Sequence, residues 1–496
     1  MASSFHIENF GCRAARADGE AIAALLRSGG ATESLPAEAH VVIVNTCSVT
    51  AEADREARAY IRRAHRLNPE ARIIATGCYA QRAPRELAEL PGIAAVIGNS
   101  HKALTPGVAL QFASGPNEAS APQPREPSQL VSVRALLASA SNQPLIFSDD
   151  TFAHSFLEES PIAPGAQTRP NLKIQEGCSN RCSFCVIPQT RGNSRSLPSS
   201  TVLNHVRTFI QAGGNELVLS GINLGRWGRD LGHSSSEPRT LATLVREIFE
   251  QTSLPRLRLS SIEPMDWNAD LIGVVREFAG DRLARHAHLP LQSGSDSVLR
   301  RMHRRYRPWH YAEKIAELLR AAGPALTIGA DVMVGFPGET DREFAETYDF
   351  IGSLPFGYLH LFPFSPRPGT RAWTLHAENP VPAPAVDERM SVLWALAAEK
   401  TRTHRRQFIG SELEAITLHT PAAAAAAGRT SALTDNFLPV EMLASLPSNR
   451  RVRIQITGVG SGNILLAVPI PSNDSQNHSS SATISTPPEA VLENAC

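Results

Sequence analysis

The placement of its cysteines constrains this chain more than any other feature. Seven cysteines occur in 496 residues, and six of them fall into two groups of three. The first group is Cys178, Cys182 and Cys185, which lie at positions i, i+4 and i+7 directly after a predicted strand, NLKIQ. Three thiolates in one tight loop can bind three irons of a four-iron cluster and leave the fourth iron open to another ligand. We assign no role to Cys496, the last residue.

The second group is spread along the first 78 residues. Cys12, Cys47 and Cys78 follow the strand-like runs FHIENF, AHVVIVN and ARIIAT. Because the carboxyl ends of parallel strands meet at one edge of a sheet, we expect these cysteines to converge there. Gly11 and Gly77 precede two of them and permit a close approach of the backbone. The pattern predicts a second cluster that is also bound by three thiolates.

Spacing alone leaves other interpretations open. Either group could bind zinc, or the cysteines could be unligated core residues. The first group differs from the paired C-x-x-C of zinc ribbons and from the run of bacterial ferredoxins. The chain shows no secretory signal, so we expect a cytoplasmic protein, in which disulfides are disfavoured.

The charge balance argues against a generally nucleic-acid-binding surface, because 48 Lys and Arg residues match 48 Asp and Glu residues. RNA contact would need a local basic patch, although such charge runs are usually solvated faces. The best such patch surrounds an aromatic residue, Tyr306, and comprises Arg300, Arg301, Arg304, Arg305 and Arg307. The sequence has no apolar run long enough to cross a bilayer. We therefore expect neither a membrane nor DNA as a partner.

The order of strand-like and helix-like segments predicts a mixed α/β chain in five parts. These are a parallel α/β domain at 1–112, an irregular Pro-punctuated linker at 113–168, six strand–helix units forming a full or partial barrel at 169–403, a small β-barrel or sandwich at 404–470, and a disordered polar tail at 471–496.

Several sequence blocks resemble one family. They include NFGC at 9–12, VNTCSVT at 44–50, IQEGCSNRCSFCVIPQTRG at 174–192, HLPLQSGSDSVLRRMHRRY at 288–306 and DVMVGFPGET at 331–340. With them the chain resembles the radical-SAM methylthiotransferases, and most of all the members that act on N6-threonylcarbamoyladenosine in tRNA. The segment GRTSALTDNFLPV at 428–440 is similar to a TRAM domain, the RNA-binding β-barrel of that family.

This resemblance implies a fold and a chemistry. The central part would be a radical-SAM partial (β/α) barrel, and the C-terminal barrel would be TRAM-like. Two [4Fe-4S] clusters and S-adenosylmethionine would be the cofactors, tRNA the substrate, and a flavodoxin or ferredoxin the electron donor. The first cluster would cleave S-adenosylmethionine to a radical that attacks C2 of an adenine, and the second would supply sulfur.

The resemblance leaves alternatives for the substrate and for the class of protein. The same chemistry on N6-isopentenyladenosine in tRNA, or on an aspartate of a ribosomal protein, fits the same motifs. A more distant alternative is an iron–sulfur protein that binds RNA without catalysis.

Further residues are candidates for binding S-adenosylmethionine. Gly213, Gly214 and Glu216 resemble the glycine–glycine–glutamate motif of the superfamily. Gln292, Gly335 and Gly338 come after predicted strands of the central domain, and Phe184 beside Cys185 could contact the adenine. Each also has a purely structural interpretation, as a helix cap, a tight turn or a packing residue.

Overall fold

The computed structural model describes residues 3–113, 143–152, 154, 156, 168–232 and 239–471. Most of the linker expected at 113–168 and nearly all of the tail expected at 471–496 lie outside these residues. The described chain forms two α/β parts and a closed β-barrel, which confirms the predicted fold class. None of the described helices is both long enough and apolar enough to span a bilayer.

A six-stranded parallel sheet forms the N-terminal part, in the order β2-β1-β3-β4-β5-β6. Its strands are β1 Ser4–Asn9, β2 Thr32–Glu33, β3 Val41–Thr46, β4 Arg72–Gly77, β5 Ile93–Gly98 and β6 Leu145–Phe147. Its helices are α1 Arg13–Ser28, α2 Ala51–Leu67, α3 Cys78–Arg82, α4 Pro84–Ala88 and α5 Thr105–Ala113. The edge strand β6 comes from the segment that the sequence predicts to be linker.

Both faces of this sheet are covered, as its apolar strands require. Successive side chains of a strand point to opposite faces. Val42 and Val44 therefore pack with α2, whereas Val41 and Ile43 pack with α1 and α5. All six residues of β3 are buried. The result is a doubly wound three-layer unit whose strand ends define one functional edge.

The central part contains the six parallel strands predicted from the sequence. They are β7 Asn171–Glu176, β9 Glu216–Gly221, β10 Arg256–Leu259, β11 His286–His288, β12 Thr327–Val334 and β13 Phe356–Pro363. Ladders join β10-β9-β7 and β11-β12-β13, and the parallel bridge Ser261–His288 links the two sets. No ladder joins β13 to β7 within the described chain, so the barrel is partial.

Helices cover the outside of this partial barrel. They are α6 Ile187–Arg191, α7 Ser199–Gln211, α8 Leu241–Gln251, α9 Ala269–Phe278, α10 Asp296–Arg301, α11 Pro308–Ala322, α12 Asp341–Ser353, α13 Arg371–Glu378 and α14 Ala383–Arg406. The short strand β8, Arg195–Ser196, pairs antiparallel with β7 at the sheet edge. The outward side chains of the strands and the inward faces of the helices make one large core.

A closed five-stranded barrel ends the described chain, in the order β14-β15-β16-β18-β17. Its strands are β14 Glu412–Thr417, β15 Thr430–Thr434, β16 Pro439–Met442, β17 Arg451–Val459 and β18 Leu465–Pro469. The alanine run forms a short helix, α15 Ala422–Ala426. A turn at 435–438, where Phe437 has a φ of 65°, separates β15 from β16 and directs that aromatic ring toward the central barrel.

Candidate functional site

The loop between β7 and α6 brings the first cysteine group together at the carboxyl end of β7. The Cys178 amide donates to the carbonyl of Gly192 at 2.9 Å, and the Cys185 amide donates to the carbonyl of Cys182 at 3.2 Å. Burial raises the pKa of the Cys185 thiol to about 12, and the neighbouring Cys182 and Cys178 contribute in the same direction. The three thiols therefore share one half-buried site.

Polar donors point at the sulfur atoms of this loop. Arg304 Nη1 lies 3.2 Å from Cys182 Sγ, and Asn223 Nδ2 lies 3.6 Å from Cys178 Sγ. Glu263 and Tyr306 hold the Arg304 side chain in place. Hydrogen bonds from a cation and an amide suit thiolates rather than neutral thiols, and they tune the potential of a cluster bound there.

The second group converges at the strand-end edge of the N-terminal sheet. Asn9 pairs with Asn45 and Thr46 pairs with Gly77, so β1, β3 and β4 end level with one another. Cys12 precedes α1, Cys47 follows β3, and Cys78 is the first residue of α3. Burial raises the pKa of Cys47 to about 12, and Cys78 and Cys12 nearby add to the rise.

Two glycines make this convergence sterically possible. Gly11 and Gly77 both have a φ of 99°, a conformation that favours glycine. A Cβ added to Gly11 would lie 2.6 Å from Cβ of Cys47, and one added to Gly77 would lie 2.3 Å from the carbonyl oxygen of Thr46. The role predicted for both glycines is therefore a steric requirement of the fold.

The sulfur atoms of neither cysteine group have the close spacing of ligands around one ion. Three thiolates on one zinc ion would lie about 3.8 Å apart, given Zn–S bonds of about 2.3 Å in a tetrahedron. Among the described residues, the group of three ligand atoms within 4.8 Å of one another is His288, Asp331 and His360. Neither cysteine group has this ion-sized spacing, and cubane ligands, which bind different irons, lie farther apart.

Arg191 connects the two cysteine groups. Its Nε lies 3.3 Å from Cys78 Sγ, although α6, which contains it, begins two residues after Cys185. Its Nη1 lies 2.6 Å from Glu176 and 3.2 Å from Asp18. Burial opposes the charge of Arg191, but Cys78, Glu176 and Asp18 hold its pKa above the ordinary value.

Arg191 belongs to a buried charge cluster, which consists of Asp18, Lys102, Lys173, Glu176 and Arg191. Three cations face two carboxylates, so the cluster carries one excess positive charge. That charge lies beside Cys78, where a cluster bound by thiolates would place negative charge. The arrangement therefore favours an anionic group at the second cysteine site.

The interior of the partial barrel is polar and aromatic. Asp331 Oδ1 lies 3.3 Å from His288 Nε2 and 3.2 Å from His360 Nδ1. Burial would raise the pKa of Asp331, but the hydrogen bonds of the two histidines hold it well below its usual range. Tyr358 and Phe437 pack against this group, their ring centroids 5.5 Å apart. The region therefore combines polar and aromatic side chains.

Four predicted cofactor contacts lie on the same face as the first cysteine group. Gln292 adopts a φ of 64°, and its buried Oε1 has no hydrogen-bond partner among the described residues. A buried amide oxygen left without a partner is costly, which points to a ligand. Gly335 and Gly338 lie in the turn after β12, where Glu339 accepts a hydrogen bond from the Gly335 amide. Phe184 packs against a small apolar cluster that includes Met302 and Met333.

The structure corrects the prediction for Gly213, Gly214 and Glu216. These residues precede or begin β9, which runs parallel to β7, whereas the cysteine loop follows the end of β7. They therefore lie at the opposite end of the barrel from Cys178. Glu216 is buried between Arg258 and two further arginines, and Gly213 accepts a hydrogen bond from Asn449 of the C-terminal barrel.

The structure also changes the interpretation of the arginine patch. Arg304 is buried against Cys182, so it is not available to RNA. Arg301 pairs with Glu343 and Arg307 pairs with Asp296. Arg300 and Arg305 are exposed, and Arg305 lines a pocket that also includes Cys182, Arg226 and His303.

Sequence reasoning missed Arg191, Asn223 and Arg13, which all lie near the cysteines in space. Arg191 and Cys78 are 113 positions apart in the chain, so no local pattern links them. A usable signal exists for Arg13, which directly follows Cys12 and begins a helix. A cation in the first turn of a helix is unfavourable and therefore suggests a role other than stability.

Comparison with known proteins agrees with this geometry. Residues 4–98 match the family described as Uncharacterized protein family UPF0004, and residues 172–351 match the Radical SAM superfamily. The chain is 35% identical to the threonylcarbamoyladenosine tRNA methylthiotransferase MtaB of Bacillus subtilis (strain 168), over 83% of this chain and 84% of that protein.

Two further relatives show the range of substrates in the family. The MtaB protein of Aquifex aeolicus (strain VF5) is 31% identical over 90% of this chain and 99% of its own length. The tRNA-2-methylthio-N(6)-dimethylallyladenosine synthase of Syntrophotalea carbinolica is 33% identical over 83% of this chain and 87% of its own length. Together with the two cysteine groups, these matches show that the chain belongs to the radical-SAM tRNA methylthiotransferase family.

Proposed function

We propose that this enzyme installs a methylthio group on C2 of N6-threonylcarbamoyladenosine next to the tRNA anticodon, using two four-iron clusters and S-adenosylmethionine. The observation that carries the two-cluster proposal is the pair of cysteine groups, one at the end of β7 and one at the ends of β1, β3 and β4. Each group has an arginine and an asparagine side chain directed at its sulfur atoms.

In this proposal, each group of residues has its own role in binding the clusters and S-adenosylmethionine. Cys178, Cys182 and Cys185 hold the cluster that binds S-adenosylmethionine, and Cys12, Cys47 and Cys78 hold the auxiliary cluster. When bound, these groups supply the electron that cleaves S-adenosylmethionine and the sulfur that is transferred. Gln292, with its unpartnered amide oxygen, and the turn containing Gly335 and Gly338 would contact S-adenosylmethionine on the same face.

The barrel interior supports a threonylcarbamoyl substituent over a dimethylallyl one. Threonylcarbamoyl carries a carboxylate and a hydroxyl group, whereas dimethylallyl is apolar. The interior presents His288, His360 and Arg13 together with two aromatic rings. Burial of an apolar group against so many polar atoms would be unfavourable, because those atoms would lose water without gaining partners.

The test uses anaerobically reconstituted enzyme with S-adenosylmethionine, a reductant and tRNA, followed by mass analysis of the nucleosides. We expect about eight irons per chain from two cubane clusters, and the methylthio derivative of threonylcarbamoyladenosine as product. A reduced flavodoxin or ferredoxin should replace the chemical reductant. Product only from prenylated adenosine would overturn the substrate, and bound zinc without iron would overturn the clusters.

A matched pair of variants separates the two cysteine groups. Cys182→Ala should abolish formation of 5′-deoxyadenosine and of the methylthio product. Cys78→Ala removes a ligand of the group formed by Cys12, Cys47 and Cys78. This variant should contain about half of the iron and form no methylthio product, but it should still cleave S-adenosylmethionine. If Cys182→Ala keeps cleavage activity, the assignment of the first group is wrong.

A further inference from the structure

Arg13 is a charged side chain without a polar partner in the described part of the chain. It is the first residue of α1 and directly follows Cys12. Its side chain is half-buried, yet within the described chain it has neither a hydrogen bond nor an ion pair. It contacts an aromatic ring instead. Its guanidinium carbon lies 5.7 Å from the centre of the Phe437 ring.

Helix stability does not explain a cation at this place. The first turn of a helix favours negative charge, because its backbone amides carry a partial positive charge. The first turn of α1 contains no acidic residue that could offset Arg13. Arg16, one turn later on the same helix, is exposed to solvent instead. Arg13 is therefore held in the interior against the preference of its own helix.

No carboxylate of the described chain lies close enough to Arg13 to form an ion pair with it. Asp331 acts on Arg13 through its charge, but its carboxylate contacts His288 and His360 instead. Arg258, also close to the Phe437 ring, shares Glu216 with two other arginines and adds positive charge near Arg13. A partly desolvated guanidinium with free donors is a binding site for an anion, and its planar fork matches a carboxylate.

We propose that Arg13 binds the carboxylate of the threonylcarbamoyl group and so selects the substrate. This inference depends on the proposed function. Since Arg13 adjoins Cys12, a carboxylate held there also places the base beside the group of cysteines proposed to supply sulfur. An adenosine with a dimethylallyl group has nothing to offer this cation and would leave it buried without a partner.

The test compares two anticodon stem-loops that differ in one group. One carries threonylcarbamoyladenosine and the other carries its amide, in which the carboxylate is replaced by a neutral group of similar size. For the wild-type enzyme, we expect kcat/KM to be at least about tenfold higher for the carboxylate, as a charged hydrogen bond in a partly buried site requires. In Arg13→Gln this ratio should fall close to one.

Two further variants control the comparison. Arg13→Lys keeps the charge but loses the planar fork, so its ratio should lie between those of the wild type and Arg13→Gln. Arg16→Gln removes a cation from the same helix and should keep the wild-type ratio. Iron and sulfide content is measured for every variant, so that damage to the neighbouring cluster site is seen directly.

Each outcome is decisive. A wild-type ratio near one overturns the role of Arg13 without any variant, even if Arg13→Gln fails to load its clusters. A ratio that survives in Arg13→Gln while both activities fall equally shows a structural role only. If the wild type modifies neither stem-loop but does modify prenylated adenosine, the proposed function fails, and this inference fails with it for that separate reason.

Discussion

At the scale of single residues, an arginine accompanies each cysteine group. Arg304 contacts Cys182, and Arg191 contacts Cys78. Both side chains are buried and are held by carboxylates on their other nitrogens. Hydrogen bonds to cluster sulfur stabilise the more negative, reduced state and so raise the reduction potential. Each arginine would thus set the potential of the cluster proposed for its own cysteine group, independently of the other.

Arg191→Lys should lower the reduction potential of the proposed auxiliary cluster. The lysine keeps the positive charge near Glu176 and Asp18 but removes the Nε–H bond to Cys78. The measurement is a redox titration followed by electron paramagnetic resonance, in a background where Cys178, Cys182 and Cys185 are all alanine, so that only the auxiliary cluster is present. An unchanged potential at full iron loading would refute this role.

Arg304→Lys provides the matched comparison at the other group. In a background with Cys12, Cys47 and Cys78 changed to alanine, it should shift the potential of the remaining cluster in the same direction. In the background that retains only the auxiliary cluster, Arg304→Lys should leave the reduction potential unchanged. A shift there would mean that the two arginines act through general misfolding rather than through their own sulfur contacts.

At the scale of elements, the long helix α14 forms hydrogen bonds next to the last two strands of the partial barrel. His404 near its C-terminal end is buried, and its Nε2 lies 2.9 Å from Thr327 Oγ1 at the start of β12. Lys400 donates to the carbonyls of Gly352 and Leu354, just before β13. Because burial lowers the pKa of His404 from 6.5 to about 4, the folded chain keeps this ring neutral.

This buried ring makes stability depend on pH. Between about pH 6.5 and 4 the unfolded chain binds a proton on His404 that the folded chain does not bind, so the free energy of unfolding falls as pH falls. From pH 7 to pH 5 the loss from this group is about 1–2 kcal/mol. Denaturant unfolding should show a smaller loss in His404→Gln over this range. The exposed His419→Gln should keep the wild-type dependence, and equal slopes in all three proteins would contradict the argument.

The same scale shows what a sequence can predict. The strand β3 could be predicted because its run of apolar, mostly β-branched residues is buried on both faces. The edge strands β2, β6 and β8 could not, since two or three residues carry no periodic pattern and pair only because distant segments lie beside them. The cysteine groups could be predicted because they follow strands. The contact of Arg191 with Cys78 could not, because it depends on packing between two distant parts of the chain.

Strand direction explains why Gly213, Gly214 and Glu216 lie far from the cysteine loop. The residue types of Gly213, Gly214 and Glu216 match a motif of the superfamily. In the structure, however, these residues lie before β9 or at its first position rather than after its end. In a parallel sheet, the two ends of a strand lie on opposite faces of the domain. A motif is therefore informative only when its position relative to the strand is also predicted correctly.

At the scale of the whole molecule, buried charges join the central barrel to the C-terminal barrel. Glu216 Oε1 accepts from Arg258 Nε at 2.8 Å, and Arg258 Nη2 donates to the carbonyl of Thr434 at 3.1 Å. Arg256 pairs with both Glu216 and Glu414, and Arg285 pairs with Asp435. The C-terminal barrel thereby closes the end of the central barrel that lies opposite the cysteine loop.

Glu216→Gln separates this structural role from the motif-based one. Burial opposes the charge of Glu216, but Arg258 and Arg169 lower its pKa to about 2, so the carboxylate is ionised at neutral pH. Its loss leaves three arginines facing a neutral amide, which should destabilise the protein by about 3–5 kcal/mol. Thermal unfolding of the cluster-loaded enzyme should therefore begin at a clearly lower temperature. The exposed pair of Glu412 with Arg453 supplies the control, because Glu412→Gln should cost less than about 1 kcal/mol.

The kinetic half of this experiment decides between the two roles. Because Glu216 lies at the far end of β9 from the cysteine loop, Glu216→Gln should leave the KM for S-adenosylmethionine within about twofold of the wild type, a difference of under 1 kcal/mol, when measured well below the unfolding temperature. A residue that binds the methionyl amino group would behave in the opposite way, with an unchanged unfolding temperature and a KM raised about tenfold or more by loss of a charged hydrogen bond. That second result would return Glu216 to the cofactor site and require the strand ends to be assigned differently.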